Sequence, residues 1–364
     1  MGKNEPQVWC LLGKKAGDNT QVKALANALG WPIQDKHIVA QPWELATNLG
    51  LGVTLSGIDA AASSPVTPPW PDLVVSAGRR NEPVARWIRR QSGGVTRLVH
   101  IGRPWSPLLA WDLIVTTPQY FLPDWPNIRL NSLPLNDLTE AQLQAAAESL
   151  RPRLGPLPRP RVAVLVGGDS GKFVFTEDKA RRLGRLANRL AAANGGSILF
   201  TNSPRTSESS TEALLDELTV PLDAYRWTQG SPEGGDNPYL AYLGMADAVI
   251  VTGESMSMLG EASVTGKPLY IFDMGDAPGT VWRQRHSYRY KPLSHHLAMR
   301  LGPHRMRRDV GRIQEGLVQS GVAEWLSETS TWPPSASASG SHEALCRQEL
   351  WATAKAVRQL LAVN

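Results

Sequence analysis

The stretch NPYLAYLGMADAVIVTGESMSMLGEASVTGKPLYIF, Asn237 to Phe272, decides the fold. Its two apolar runs, Ala248–Thr252 and Pro268–Phe272, are short and do not alternate, so they read as buried parallel strands. Tyr239–Met245 and Met256–Thr265 carry helical patterns, which makes the unit helix–strand–turn–helix–strand. The turn after the first strand collects Gly253, Glu254, Ser255 and Ser257, with Met256, Met258 and Leu259 reading first as packing residues. Such a turn is either an ordinary corner or a seat for a charged ligand, because a helix start offers roughly half a positive charge to an anion.

The same rhythm runs outward in both directions. Upstream, Val8–Leu12, Leu73–Ser76, Leu98–Ile101 and Leu113–Thr116 read as buried parallel strands, and Ile33–Val39 reads as a further strand. Helices are predicted over Thr20–Leu29, Glu82–Gln91 and Glu140–Leu150, and a loop over Asp59–Pro71. RPRLGPLPRP, Arg151–Pro160, holds four prolines and reads as a linker. Strands and helices then resume at Val162–Val166, Glu177–Asn194, Ser197–Thr201, Thr211–Leu218 and Ala224–Trp227. Ser327–His342 is low in complexity. Beyond it Cys346, Leu350, Ala354, Val357 and Leu361 form one face of an amphipathic helix expected to dock on the first domain. The expected divisions are 1–150, a linker 151–160, 161–326, a linker 327–342 and a terminal helix 343–364. The class is α/β.

Composition agrees with a globular chain: 364 residues, 42% hydrophobic and 20% charged. Two cysteines make no disulfide framework or metal pattern, which points to a reducing compartment. Met1–Leu12 reads as a first strand, not as a signal peptide, and no apolar run of about 18 residues is present. The expected location is cytoplasmic, peripheral on the inner face of the membrane. Net charge is +5. Arg79–Arg103 sets seven arginines against Glu82. Trp282–Arg312 sets Arg283, Arg285, Arg289, Lys291, Arg300, Arg305, Arg307, Arg308 and Arg312 against Asp309. These groups are either solvated faces or seats for phosphate and anionic lipid. Nucleic acid is not expected, since no reader motif accompanies the charge.

Three further strand exits carry candidate chemistry. In LLGKKAGDNTQ, Gly13 and Gly17 permit a tight loop. Asp18 and Asn19 either cap the following helix or serve a ligand, Asp18 then as a general base. In VAVLVGGDSGKF, Gly167, Gly168, Ser170 and Lys172 follow a strand directly. Glycines let backbone amides approach an anion and the lysine adds charge, though the spacing is not that of a Walker loop. In FTNSPRT, Ser203, Arg205 and Thr206 form another exit, and Arg205 is either a diphosphate clamp or a surface arginine.

GKKAGDNTQ, VLVGGDSGKF, LFTNSPRT and the opening stretch together resemble bacterial relatives of the plant mitochondrial-fission Elm family. That family is similar to GT-B glycosyltransferases, especially the one that adds N-acetylglucosamine to a lipid-linked peptidoglycan precursor. The resemblance spans most of Val8 to Phe272 and fades beyond about Gly279. It implies two Rossmann-like domains facing across a cleft, with the nucleotide-sugar donor on the second and the acceptor on the first. It further implies that Gly168 and Ser170 lie at the glycine loop near the donor diphosphate, that Ser255 and Ser257 face the diphosphate or donor sugar, and that Glu261 holds the ribose. Beside them, Gly17, Asn19, Gly167, Lys172, Ser203, Arg205, Thr206, Gly253, Glu254 and Met258 are the further candidates for substrate or donor binding. Asp18 stands where the peptidoglycan enzyme has a histidine base. Glu254 and Glu261 are one residue closer than the Glu-x7-Glu pair of many retaining enzymes, which favours inversion.

The implied activity is transfer of a sugar from a nucleotide donor to an envelope, lipid-linked or lipid-A-type acceptor, with no metal or other cofactor. The family name also keeps a non-catalytic, membrane-associated scaffold in view, and the fold keeps a nucleotide-sugar epimerase or hydrolase. A dinucleotide oxidoreductase is disfavoured, because no GxGxxG follows a strand.

Overall fold

In the computed structural model of the chain, β1 (Val8–Leu12) is buried along its whole length. Residues 5–44, 50, 52–171, 173–228, 237–275, 300–302, 307–334 and 341–362 are described. They divide into one unit of Met1–Asp137, Pro303–Asp309 and Leu345–Asn364 and a second of Leu138–Gly302 and Val310–Ala344.

In the first unit β1 pairs in parallel with β2 (Ile33–His37) and β3 (Leu73–Ala77). β4 (Arg97–Ile101), β5 (Leu113–Thr116) and β6 (Ile128–Leu130) extend the sheet to the order 2-1-3-4-5-6. Alternate side chains of a strand face opposite sides, and both sides are covered. Val8, Cys10 and Leu12 share a core with α1 (Ala16–Leu29). Trp9 and Leu11 share another with α2 (Glu82–Gln91). This burial on both faces is why the strands read as unbroken apolar runs.

The last helix, Ser341–Ala362, closes the first of these cores with Leu350, Ala354 and Val357. Arg358 donates to the carbonyl of Ala28 at 2.7 Å, and Glu349 accepts from the Ser132 amide at 2.9 Å. Cys346 is buried on the same face. Neither cysteine is in a disulfide, and burial pushes the Cys10 thiol up to about 12.

The second unit has the strands β7 (Arg161–Leu165), β8 (Ser197–Thr201) and β9 (Leu222–Tyr225), followed by β10 (Ala248–Thr252), β11 (Leu269–Phe272) and β12 (Ala323–Trp325). All pair in parallel, in the order 12-11-10-7-8-9. Counted from β7 this is the Rossmann order 3-2-1-4-5-6. The fold is α/β and GT-B-like.

Several boundaries differ from the sequence expectation. α1 starts at Ala16, because Asn19 is spent on the preceding loop and no side chain caps the helix. α3 runs from Glu140 to Leu154 across Pro152, which lies in the last turn and forfeits a single backbone bond there. It packs in the second unit against α6 (Tyr239–Met245), where a side chain on Gly244 would stand 2.6 Å from the carbonyl of Leu143. The helix expected to end the first domain thus belongs to the second unit, and residues 155–160 of the proline-rich stretch join it to β7 within that unit. α4 spans Glu177–Ala192, and α5 (Glu208–Leu215) begins at Glu208, since the Ser207 side chain accepts from the Ser210 amide. The Ser/Pro/Ala stretch is not slack throughout: Trp332 packs on the second core and Tyr270 donates to Thr331 at 2.6 Å.

Candidate functional site

In the second unit the chain leaves β7 towards β8 on one side and returns to β10 on the other. The crevice beyond the strand ends at such a reversal is where open α/β sheets bind ligands. The sequence places its glycines and hydroxyls there. Val166–Gly168 follows β7, Asn202–Thr206 follows β8 and Gly253–Ser255 follows β10.

Hydrogen bonds lock these exits together. The Gly167 amide donates to Thr252 Oγ1 at 2.8 Å, and Thr252 donates to Glu254 Oε1 at 3.2 Å. The Ser203 hydroxyl donates to the Gly167 carbonyl. Asp169 N donates to the Arg205 carbonyl at 3.0 Å, and Arg205 Nη1 returns a bond of 3.0 Å to the Asp169 carbonyl. Thr206 closes its turn by accepting from Ser203 N at 3.3 Å. Ser170 exchanges backbone bonds with Phe173, folding the glycine loop back on itself.

Glycine is required at the centre. A Cβ on Gly167 would stand 2.2 Å from Glu254 Oε1 and 2.7 Å from Ser255 Cβ. One on Gly168, whose φ is +88°, would meet the Arg205 carbonyl oxygen at 2.5 Å. Gly253 is held from the far side, where Gln314 of α8 (Gly311–Gln319) donates to its carbonyl.

Helix α7 (Met256–Ser263) starts at this point with Ser255 as its N-cap, yet no side chain caps it. Its first-turn amides have no acceptor within the helix, so the Met256, Ser257 and Met258 N–H groups open the helix beside the glycine loop. Ser255 is buried, and Ser257 and Met258 are half-buried. Glu254 points inward instead: its carboxylate is fully buried and lies 3.8 Å from the Arg205 guanidinium. It is the residue that orients Arg205, which the sequence could not assign.

Glu261 lies further along α7, and the Tyr239 hydroxyl donates to its Oε2. Burial, then the adjacent Glu261, hold the Tyr239 phenol well above the usual tyrosine range. Sequence reading missed Tyr239. Its only signal was its place after Asn237-Pro238 at a helix start. Lys172 lies outside the described residues.

The candidates of the first unit gather at that sheet's own reversal, between β1 and β3. The Asn19 amide clamps the loop, accepting from Gly13 N at 2.9 Å and donating to Gly13 O at 2.7 Å. Gly17 is in the first turn of α1, where its carbonyl accepts from Gln21 at 3.1 Å. The Asp18 carboxylate leans over Gly78, 2.8 Å from where a Cβ would be.

The first arginine group is largely committed within its own unit. Arg79 and Arg80 reach Glu44 at 3.8 and 2.9 Å, and Arg89 and Arg97 pair with Asp112. Of the second group, Arg283, Arg285, Arg289, Lys291 and Arg305 lie outside the described residues. Arg300 and Arg312 are exposed. Arg308 donates to Gln119 at 2.9 Å. Among the described residues no helix is long and apolar enough to cross a membrane.

The fold is shared with solved proteins at low identity. The glycosyltransferase SnogD from Streptomyces nogalater matches over 99% of both chains, with 14% identity and a TM-score of 0.51. The UDP-GlcNAc 2-epimerase from Methanocaldococcus jannaschii covers 98% of this chain and 100% of its own, with 10% identity and a TM-score of 0.51. In sequence, the mitochondrial fission protein ELM1 of Arabidopsis thaliana is 28% identical over 265 residues, 65% of this chain. The match spans 61% of the length of that relative. The family model described as Mitochondrial fission ELM1 covers residues 16–329, most of the sequence, and the chain belongs to that family.

Proposed function

We propose that the chain is a GT-B-type glycosyltransferase that binds a nucleotide-sugar donor at the β7/β10 reversal of the second unit. One observation carries this reading: two close-packed glycines, the Arg205 guanidinium and the uncapped start of α7 converge on one spot. Amides and a guanidinium so placed suit a diphosphate, and they stabilise charge where it grows as the nucleotide departs. Ser255 and Ser257 add hydroxyl donors, and Glu261, fixed by Tyr239, accepts from the ribose.

In this reading the acceptor hydroxyl oxygen attacks the anomeric carbon. The bond from that carbon to the diphosphate breaks, and the hydroxyl proton passes to Asp18. The chemistry is metal-independent and inverting, and the acceptor is an envelope or lipid-linked glycan met at the inner membrane face.

A nucleoside diphosphate panel tests it by thermal shift. One of UDP, CDP or GDP raises the melting temperature of the parent chain by several degrees. The gain disappears in Arg205→Gln, which loses the charge and the Nη1 bond to the Asp169 carbonyl, while the far-UV circular dichroism of the variant stays that of the parent chain. A folded protein that responds to no nucleoside diphosphate and no nucleotide sugar would falsify the reading and leave a scaffold. Donor turnover without acceptor would instead mark an epimerase or hydrolase.

A further inference from the structure

A buried glutamine stands where the apolar face of α8 calls for a hydrophobic residue. Val310, Ile313 and Leu317 recur at helical spacing and are buried. Gln314 lies in the same stripe and is 7% exposed. A buried amide is unfavourable unless it is hydrogen-bonded, so a glutamine in this stripe is explained by what it bonds. Its Nε2 donates to the Gly253 carbonyl, 61 residues away in the chain.

That carbonyl belongs to the peptide on which the donor crevice turns. The Ser255 amide donates to the Thr252 carbonyl at 3.2 Å, which closes residues 252–255 into a β-turn. The peptide between Gly253 and Glu254 is the central plane of this turn, and the orientation of that plane is what distinguishes one turn type from another. Gln314 takes its carbonyl side. In a trans peptide the N–H points the opposite way, so the Glu254 N–H is turned away from α8. The Gly253 amide is held as well, donating to the Phe272 carbonyl at 3.0 Å. A Cβ on Gly253 would stand 2.6 Å from Gln314 Nε2 and 3.1 Å from that Phe272 oxygen, so glycine lets both bonds form.

The components of the anion seat depend on this turn. Its third residue, Glu254, accepts from Thr252 and lies 3.8 Å from the Arg205 guanidinium. Its fourth, Ser255, is the N-cap of α7 and lies so near the glycine loop that a Cβ on Gly167 would stand 2.7 Å from its own. A rotation of the turn would displace the carboxylate beside Arg205, the start of α7 and the glycine-loop contact together. Gln314 acts on all three through the backbone of Gly253.

We propose that Gln314 is a positioning residue of the donor site, its hydrogen bond holding the Thr252–Ser255 turn in the form that presents α7 and Arg205 to a nucleoside diphosphate. The inference rests on the donor reading of this crevice and adds to it a residue that no strand exit contains.

Two substitutions test it. Gln314→Met keeps an unbranched side chain of similar length that cannot donate, whereas Gln314→Glu donates only while its carboxyl is protonated. Burial and the facing carbonyl oxygen raise the pKa of that carboxyl, so the glutamate variant regains the bond on acidification. Affinities for UDP, CDP and GDP are measured by titration calorimetry on the full chain at pH 7.5 and pH 5.5, each variant against the parent at the same pH. At pH 7.5 both variants should bind the parent's preferred nucleotide about tenfold more weakly. At pH 5.5 Gln314→Glu returns to near the parent and Gln314→Met does not. Parent-like affinity in Gln314→Met, or equal weakness of both variants at both pH values, overturns the proposal. Hydrogen exchange of the ligand-free chain separates this inference from the transfer reading, since residues 252–259 should exchange faster in Gln314→Met than in the parent. If the parent binds none of the three nucleotides, the transfer reading falls. Faster exchange then still assigns Gln314 to the turn, and unchanged exchange overturns that too. Should Gln314→Glu unfold at pH 7.5, the affinity and exchange of Gln314→Met decide.

Discussion

His100 shows how one buried residue sets the acid behaviour of the first unit. It lies on β4, fully buried, with its ring 4.5 Å from that of Trp111 and Nδ1 3.2 Å from Ser76 Oγ. Burial lowers its pKa from 6.5 to about 3. Below pH 6.5 the unfolded chain takes up a proton that the folded chain refuses, so stability falls as pH drops from 6.5 towards 3. By pH 5 the loss from this group is about 2 kcal/mol. Urea unfolding at pH 7 and pH 5 checks it. His100→Phe, which leaves Ser76 its bond to the Val99 carbonyl, loses that much less between the two pH values than the parent chain. An equal fall in both would assign the acid sensitivity elsewhere.

Among the elements, the terminal helix is the clearest case of local pattern meeting a distant surface. Its apolar face was legible as Cys346, Leu350, Ala354 and Val357, because helical periodicity is a property of a short window. The bonds that seat it are to Ala28, Arg129, Asn131 and Ser132, none of which periodicity could name. Val357 is fully buried against the α1 side of the sheet. Val357→Ala costs about 2 kcal/mol through the lost burial and the cavity left behind. An unchanged urea midpoint would show that the helix adds nothing to the unit it covers. The short β6 and β12 escaped sequence reading, since three residues cannot display a period.

Across the whole molecule a net charge of +5 favours association with anionic surfaces. The ion pairs to Glu44 and Asp112 remove four arginines of the first group from that role. Arg86 and Arg90, on the same helix, remain as candidates for it. Vesicles containing phosphatidylglycerol should sediment the protein at low salt and release it as salt rises. Arg86→Gln with Arg90→Gln should weaken that association roughly tenfold. Undiminished sedimentation of the double variant would acquit both residues.

The sequence by itself determined which segments are buried parallel strands, and that glycines and hydroxyls crowd the exits of β7, β8 and β10. Those are local facts, written in period and composition. Only the tertiary structure decided that the three exits meet, because strand order is set by long-range packing and not by any window of sequence. It also turned Glu254 inward onto Arg205, joined Tyr239 to Glu261 and spent Asn19 on its own loop. A side chain's role depends on which partner reaches it first, and those partners are remote in the chain.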